Sequence, residues 1–168
     1  MYTPVENRLG IQPIAVSSAV QNHPLGTKVK AYDPVYGEGE FIYLLGVVGT
    51  IVGSLVTWGG QSAGTPTLQT ALAPSTANLD QPVAVAMSAN VAGQFGWYQI
   101  DGNAVIATNG TLAAGPAPVY LAGTGQVTST QAAGKQVVNA VNVTATGTPA
   151  ANQAVVEIHY PFAQGQIV

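Results

Sequence analysis

Apolar and polar residues alternate with a period of two in segments 137–144 and 154–160. That period is typical of a strand with one buried face. We therefore predict two antiparallel strands here, with a turn at Gly147-Thr148-Pro149. The residues assigned to one shared face in each segment are Val137, Asn139, Val141 and Val143, and then Ala154, Val156, Ile158 and Tyr160.

The central stretch 83–106 begins with an apolar run, Val83–Met87, that suits a strand buried on both faces. Asp101-Gly102-Asn103 interrupts a later apolar stretch, and Asp-Gly between two strand-like runs predicts a hairpin. Trp97 and Tyr98 are adjacent, so on a strand they point to opposite faces. We expect one of them to anchor the core and the other to lie under a loop or at a subunit contact.

The whole pattern contains about nine to eleven short strand signals and no convincing helical period. We predict an all-β fold, an antiparallel sandwich or barrel, with a jelly-roll-like arrangement as one option. Residues 1–26 are predicted to form an extended N-terminal arm, and residues 27–168 a single β domain. The side chains predicted to be mostly buried are Phe41, Tyr43, Val85, Val156 and Ile158.

The segment Phe41–Trp58 contains no charged residue and is close to the shortest length of a membrane-spanning helix. No Lys or Arg flanks it to mark a cytoplasmic end. We therefore favour two buried strands around a turn at Gly49-Thr50 over a spanning helix, and we expect no membrane contact.

Charged residues make up only 7 % of the chain, against about 25 % in ordinary soluble domains. Surface charge supports the solubility of a free monomer, so its scarcity suggests surface hidden in an assembly. Four basic residues and a net charge of −3 provide no footprint for nucleic acid. The absence of cysteine excludes disulfides and thiolate metal sites.

The predicted arm is interrupted by three prolines yet carries spaced apolar residues. A solvated tail would be more polar, so we expect the arm to lie on a neighbouring subunit. The candidate contact residues are Val5, Arg8, Leu9, Ile11 and Ile14.

Two pairs of polar residues are candidates for chemistry, because residues two apart share a strand face. Glu38 and Glu40 form one pair, and Glu157 and His159 the other. A zinc site needs further ligands, and His23 is the only other histidine. We predict no enzyme activity, no catalytic residues, no metal and no cofactor.

Three segments resemble virion proteins of tailed bacteriophages. They are HPLGTKVKAYDPVYGEGEFIYLLGV (23–47), PVAVAMSANVAGQFGWYQIDGNAV (82–105) and Glu157-Ile158-His159-x-Pro161-Phe162. They cover about half of the chain in the same order as in the capsid decoration, or cement, proteins of these phages. The loop 59–80 and the charge-free region 107–134 match poorly, and no motif assigns individual contact residues.

The resemblance implies a non-enzymatic structural protein that binds the outer surface of the major capsid shell and stabilises it by bridging capsomers. It implies a virion location after synthesis in the host cytoplasm. The expected partners are the major capsid protein and copies of the chain itself, with a trimer favoured over a dimer. The contact residues proposed for the arm would then meet either another copy or the capsid.

Two other functions remain open. One is a β-rich fibre or carbohydrate- and host-surface-binding module, for which Trp58, Trp97 and Tyr120 would line a groove. The other is a hydrolase, which would need a buried pocket that joins Glu38, Glu40 or His159 to another acid.

Overall fold

The protein is built of strands and turns, which confirms the predicted all-β class. A computed structural model describes residues 1–4, 10–59, 61–62, 65–66 and 68–166, and these ranges contain no helix. Their strands are β1 (Thr3–Pro4), β2 (Lys28–Asp33), β3 (Gly37–Leu45), β4 (Leu55–Thr57), β5 (Gln61–Ser62), β6 (Thr65–Pro66), β7 (Ala71–Leu72), β8 (Gln81–Ala86), β9 (Phe95–Ala107), β10 (Ala117–Ala122), β11 (Gln126–Thr128), β12 (Gln136–Asn142) and β13 (Gln153–Ala163).

One antiparallel sheet contains eleven of these strands, and β5 and β6 form a separate pair. The sheet order is β1-β2-β3-β9-β8-β13-β12-β10-β11, and β4 pairs with both β7 and β8. Strand β9 pairs with β3 and β8 through its first half and with β13 through its second half. It therefore joins the early strands of the chain to the late ones.

The predicted hairpin at Asp101-Gly102-Asn103 is wrong, because β9 continues through these residues as a strand. Gly102 does have a positive φ of 93°, and the register against β3 shifts by one residue just before it. A Cβ at Gly102 would lie 2.4 Å from the carbonyl oxygen of Glu38. A bulge at Ile100, followed by the positive φ of Gly102, thus bends the strand here and does not reverse it.

The later strands close on themselves. The sequence of pairs runs from β9 to β13, β12, β10 and β11. Val127 of β11 then bridges Thr108, directly after β9, and accepts a hydrogen bond from the Asn109 N–H at 2.8 Å. The largest cluster of buried side chains has members from all five strands, so it fills the space that they enclose.

Two further clusters lie on opposite faces of β3 and β9. Tyr98 belongs to one and Trp97 to the other, which confirms that these side chains point in opposite directions. Both are buried, and Trp97 lies under residues of the N-terminal segment. The five predicted core side chains, Phe41, Tyr43, Val85, Val156 and Ile158, are all fully buried.

The N-terminal segment covers the cluster around Trp97. Ile14 is 2 % exposed and belongs to this cluster, and Trp97 Nε1 donates a hydrogen bond to the Gln12 carbonyl oxygen at 2.9 Å. Ser18 and Phe95 exchange backbone hydrogen bonds of 2.9 and 2.8 Å. The prediction of an arm that leaves the domain is therefore wrong for residues 1–4 and 10–26. The aromatic face of β3 and β9 needs an apolar cover, and the chain supplies it from its own N-terminal segment.

An irregularity in the pairing of β12 with β13 changes the faces predicted for the last strands. Asn139 has a φ of +60°, and the register between β12 and β13 shifts around it. Val137 is therefore buried while Val141 is exposed, although the pattern placed them on one face. Tyr160, with a φ of +47°, is likewise exposed although Val156 is buried. The strands were predicted correctly, but the irregular backbone at Asn139 and Tyr160 reverses the faces beyond these residues.

The uncharged segment Phe41–Trp58 forms most of β3 and all of β4. These two strands do not pair with each other: β3 pairs with β2 and β9, and β4 with β7 and β8. Turns at Val48-Gly49 and Val52-Gly53 join them. Within the described residues, no helix is long and apolar enough to cross a membrane.

Candidate interaction surfaces

Cross-strand pairs of opposite charge lie on the outer side of β2 and β3. Val29 and Ala31 point inward, so Lys28 and Lys30 point to solvent, as the alternation predicts. Lys30 Nζ lies 3.2 Å from Glu38 Oε1. Lys28 Nζ lies 3.6 Å from an oxygen of Glu40. Both glutamates are thus engaged by lysines.

His159 on β13 extends this polar surface across the sheet. Its Nδ1 lies 2.9 Å from Asp101 Oδ1, and its Nε2 lies 3.2 Å from Glu157 Oε1. Only the protonated imidazolium has an N–H to donate to each carboxylate. The hydrogen bond with Asp101, followed by that with Glu157, raises the pKa of His159 above its ordinary value.

Tyr160 joins the two parts of this surface. Its hydroxyl donates a hydrogen bond of 2.7 Å to Glu40 Oε2, and this bond is the main reason that the pKa of Tyr160 rises to about 12. The Lys28 ammonium lies 4.9 Å from the centre of the Tyr160 ring, in the range of a cation–π contact. The ring is therefore held in place although its residue is exposed.

We call this surface the charged face. It contains four of the seven acidic residues of the chain and two of its four basic residues, so the few charges are concentrated here. Its members are Lys28, Lys30, Glu38, Glu40, Asp101, Glu157, His159 and Tyr160.

The ion pairs of the charged face lie on the surface of the sheet. Its carboxylates are paired with lysine or histidine, and His159 is mostly exposed to solvent. Glu38, Glu40 and His159 do not line the cavities described below. Within the described residues, no group of three or more His, Asp or Glu side chains could hold a metal ion.

Three segments meet at one end of the sheet. Because β3, β9, β8 and β4 are successive antiparallel neighbours, the β3–β4 connection and the β8–β9 connection lie at the same end. Residues 13–20 join them there through the Ser18–Phe95 bridge. Segments 13–20, 46–54 and 87–95 contain no Asp, Glu, Lys or Arg.

We call this surface the valine end. It exposes six aliphatic side chains, each between 46 % and 69 % exposed, which are Val16, Val20, Val48, Ile51, Val52 and Val91. Exposed apolar residues grouped without charge are more typical of contact surfaces than of the free surface of a monomer.

Hydrogen bonds hold the connections of the valine end. Asn90 Nδ2 donates to the Tyr98 hydroxyl at 2.9 Å, and both residues are buried. The Gly46 N–H donates to the Gln94 carbonyl oxygen at 2.7 Å, which ties the two connections together. Thr50 Oγ1 donates to the Val47 carbonyl oxygen at 2.9 Å within the β3–β4 connection. The exposed aliphatic side chains are thus carried on a bonded framework.

The aromatic residues considered for a carbohydrate groove are largely inaccessible. Trp97 and Tyr120 are buried, whereas Trp58 is half-buried. Trp58 lines a groove of about 410 Å³ with Gln69, Gln81 and other residues. It also lines an apolar cavity of about 170 Å³ beside Tyr160 and Phe162.

A cavity of about 300 Å³ lies beneath the N-terminal segment, bordered by Ile14, Val52, Met87 and Gln99 among others. Gln99 Oε1 is buried and has no hydrogen-bond partner among the described residues. Its Nε2 donates to the carbonyl oxygens of Asp101 and Asn103 at 3.0 and 3.2 Å. Those bonds hold the amide against the bulge of β9.

Two of the five predicted contact residues, Ile11 and Ile14, lie within the described part of the chain. Val5, Arg8 and Leu9 lie outside the described residues. Ile11 is half-buried against the Trp97 cluster, and Ile14 is buried within it. The prediction that Ile14 contacts another subunit is therefore wrong, because its side chain fills the core of its own domain.

The sequence did contain a signal for the valine end. Val47-Val48-Gly49-Thr50-Ile51-Val52 places aliphatic residues around glycine, where a turn is normally polar. The interpretation of this segment as buried strands missed it, because a short apolar run does not distinguish a core strand from an exposed turn.

No protein-family model matches the chain, and no curated protein is similar to it in sequence.

Proposed function

We propose that this protein is a non-enzymatic structural component of a tailed-bacteriophage virion. It binds the outer surface of the major capsid shell, acts with copies of itself, and stabilises the shell by bridging capsomers. A bridging protein needs at least two contact surfaces. The observation that supports this function is the presence of two exposed surfaces of opposite chemistry, the charged face and the valine end.

The mechanism is linkage between binding and assembly. A protein that binds the assembled shell and not its separated subunits stabilises the shell, and the effect grows with the concentration of free protein above the dissociation constant. The bonded sheet suits this role, because a rigid body loses little conformational entropy on binding. Synthesis in the host cytoplasm would precede attachment to the outside of the particle.

The direct test mixes the purified protein with empty shells of the major capsid protein from the same phage. We expect cryo-microscopy to show it at defined positions on the outer surface, and the temperature of shell disruption to rise with its concentration. The proposal would be contradicted if saturating protein left the disruption temperature of the shells unchanged and added no density to their outer surface. Bovine serum albumin at equal concentration controls for non-specific stabilisation.

The second candidate is a fibre or host-surface module that binds carbohydrate. It is favoured by the groove in which half-buried Trp58 lies near the amide side chains of Gln69 and Gln81, a combination that suits a sugar ring and its hydroxyl groups. Screening the protein on host surface glycans tests this function. Binding that is lost in Trp58→Ala, with an unchanged circular dichroism spectrum, would support it over shell attachment.

A further inference from the structure

We infer that the valine end is the surface through which copies of this chain bind one another. The inference rests on the proposed function, because it assigns one of the two surfaces to self-association and leaves the charged face for the shell.

The first argument is charge matching. The three segments of the valine end carry no charged side chain. A partner that placed a charge against these aliphatic side chains would lose its hydration and gain no counter-charge. A second copy presents the same uncharged surface, so closing the contact leaves no ion unpaired. A symmetric contact of this kind matches a patch to itself.

The charged face cannot face a second copy of itself without repulsion between charges. Its acidic residues outnumber its lysines by four to two, so two such faces would repel one another at neutral pH. A partner with surplus basic groups suits it better than a second copy does. The two surfaces therefore select different partners.

The second argument is the low entropy cost of closing the contact. The most exposed members, Val48, Val20 and Ile51, are β-branched and have few side-chain rotamers to lose. The backbone before Val48 and Ile51 is tied by the Gly46–Gln94 hydrogen bond, and the backbone before Val20 by the Ser18–Phe95 hydrogen bonds. A preorganised apolar surface of this kind retains more of its burial energy on association.

The test compares two double variants that add the same two negative charges. Val48→Asp with Val91→Asp places them on the valine end, where the side chains are 69 % and 46 % exposed. Val35→Asp with Val143→Asp places them elsewhere, at residues that are 77 % and 44 % exposed. Native mass spectrometry and light scattering at micromolar concentration then report the oligomeric state. Circular dichroism and thermal melting verify that each variant is folded.

We expect the wild type and the control variant to form the same closed oligomer. The valine-end variant should have a dissociation constant raised by about 30-fold or more and should appear as a monomer. A valine-end variant that stays oligomeric while folded would overturn the inference, as would a wild type that is monomeric throughout.

Shell binding separates this inference from the proposed function. A wild type that binds shells as a monomer contradicts self-association and leaves the function intact. A wild type that forms the oligomer through the valine end yet ignores shells contradicts the function and leaves the inference intact. When the inference and the proposed function both hold, the folded monomeric variant should still bind shells. Its binding should be weaker than that of the wild type because it loses multivalent attachment.

Discussion

At the residue scale, Gly102 shows how one missing Cβ permits the bend in β9. Its φ of +93° is strained for other residues, and a Cβ would meet the Glu38 carbonyl oxygen at 2.4 Å. Gly110 has a similar φ of +88° but open space around its Cβ position. Comparing alanine substitutions at Gly102 and Gly110 therefore separates the energetic cost of the backbone conformation from that of the steric clash.

We predict that Gly102→Ala lowers the free energy of unfolding by about 2–4 kcal/mol, because backbone strain and the clash both contribute. Gly110→Ala should cost only the conformational part, about 1–2 kcal/mol. Urea denaturation of both variants measures the difference. Equal losses of unfolding free energy in the two variants would mean that β3 moves away from the new Cβ at no energetic cost.

His159 is the residue whose charge should respond to pH in the physiological range. Its hydrogen bonds with Asp101 and then Glu157 raise its pKa in the folded state. A raised folded pKa means that the ion pairs stabilise the fold fully below the unfolded value of about 6.5. That contribution is lost as the pH rises through the folded pKa. Because His159 is largely exposed, solvent screens the pairs and the change in stability is modest.

We predict that Asp101→Asn lowers the pKa of His159 more than Glu157→Gln does, because the contact with Asp101 is the larger cause and the shorter distance. Nuclear magnetic resonance titration of the imidazole measures this directly. If the pKa of His159 falls as much or more in Glu157→Gln, the contact with Asp101 is not the larger cause of the raised pKa.

At the scale of elements, the N-terminal segment acts as a structural cover for β3 and β9. Ile14 is buried in the cluster with Trp97, whereas Val16, two residues later, is exposed. The segment therefore contributes to stability through some side chains and presents others at the valine end.

We predict that Ile14→Ala lowers the free energy of unfolding by about 2–4 kcal/mol, as expected for a cavity in a packed core. Val16→Ala should change it by about 0.5 kcal/mol or less, since its side chain is exposed. Chemical denaturation followed by tryptophan fluorescence suits this comparison because Trp97 lies in the same cluster. A small effect of Ile14→Ala would indicate that the segment is only loosely attached.

At the scale of the whole molecule, charge is separated from exposed apolar surface. The charged face spans β2, β3, β9 and β13, while the valine end consists of the uncharged β3–β4 and β8–β9 connections and residues 13–20. Salt should therefore act differently on contacts through the two surfaces, because it screens exposed charges and leaves apolar burial largely unaffected.

We predict that raising sodium chloride from about 50 to 500 mM weakens attachment to shells but leaves the self-association constant nearly unchanged. Binding isotherms on shells and sedimentation of the free protein, run in the same buffers, measure the two quantities. Self-association that weakens with salt as strongly as attachment does would contradict the division between the two surfaces.

The sequence by itself determined the strand content, most of the core and the exposure of Lys28 and Lys30. These features follow from the alternation of side chains along each strand, which is a property of the local backbone. The same local information indicated a positive φ at Gly102. Whether that residue reverses or only bends the chain depends on the strands that pair on each side of it, β3 and β13, and these are distant in sequence.

The tertiary structure alone decided which apolar segments outside the regular strands are exposed. Residues 10–26 were predicted to lie on a neighbouring subunit, but the aromatic face of β3 and β9 receives Ile14 from the same chain. The aliphatic residues of 47–52 were predicted to lie in buried strands. Because β3 and β4 pair with other strands and not with each other, the connection between them lies on the surface. Apolar character favours burial, but only long-range pairing decides which apolar side chains find a covering surface within the same chain.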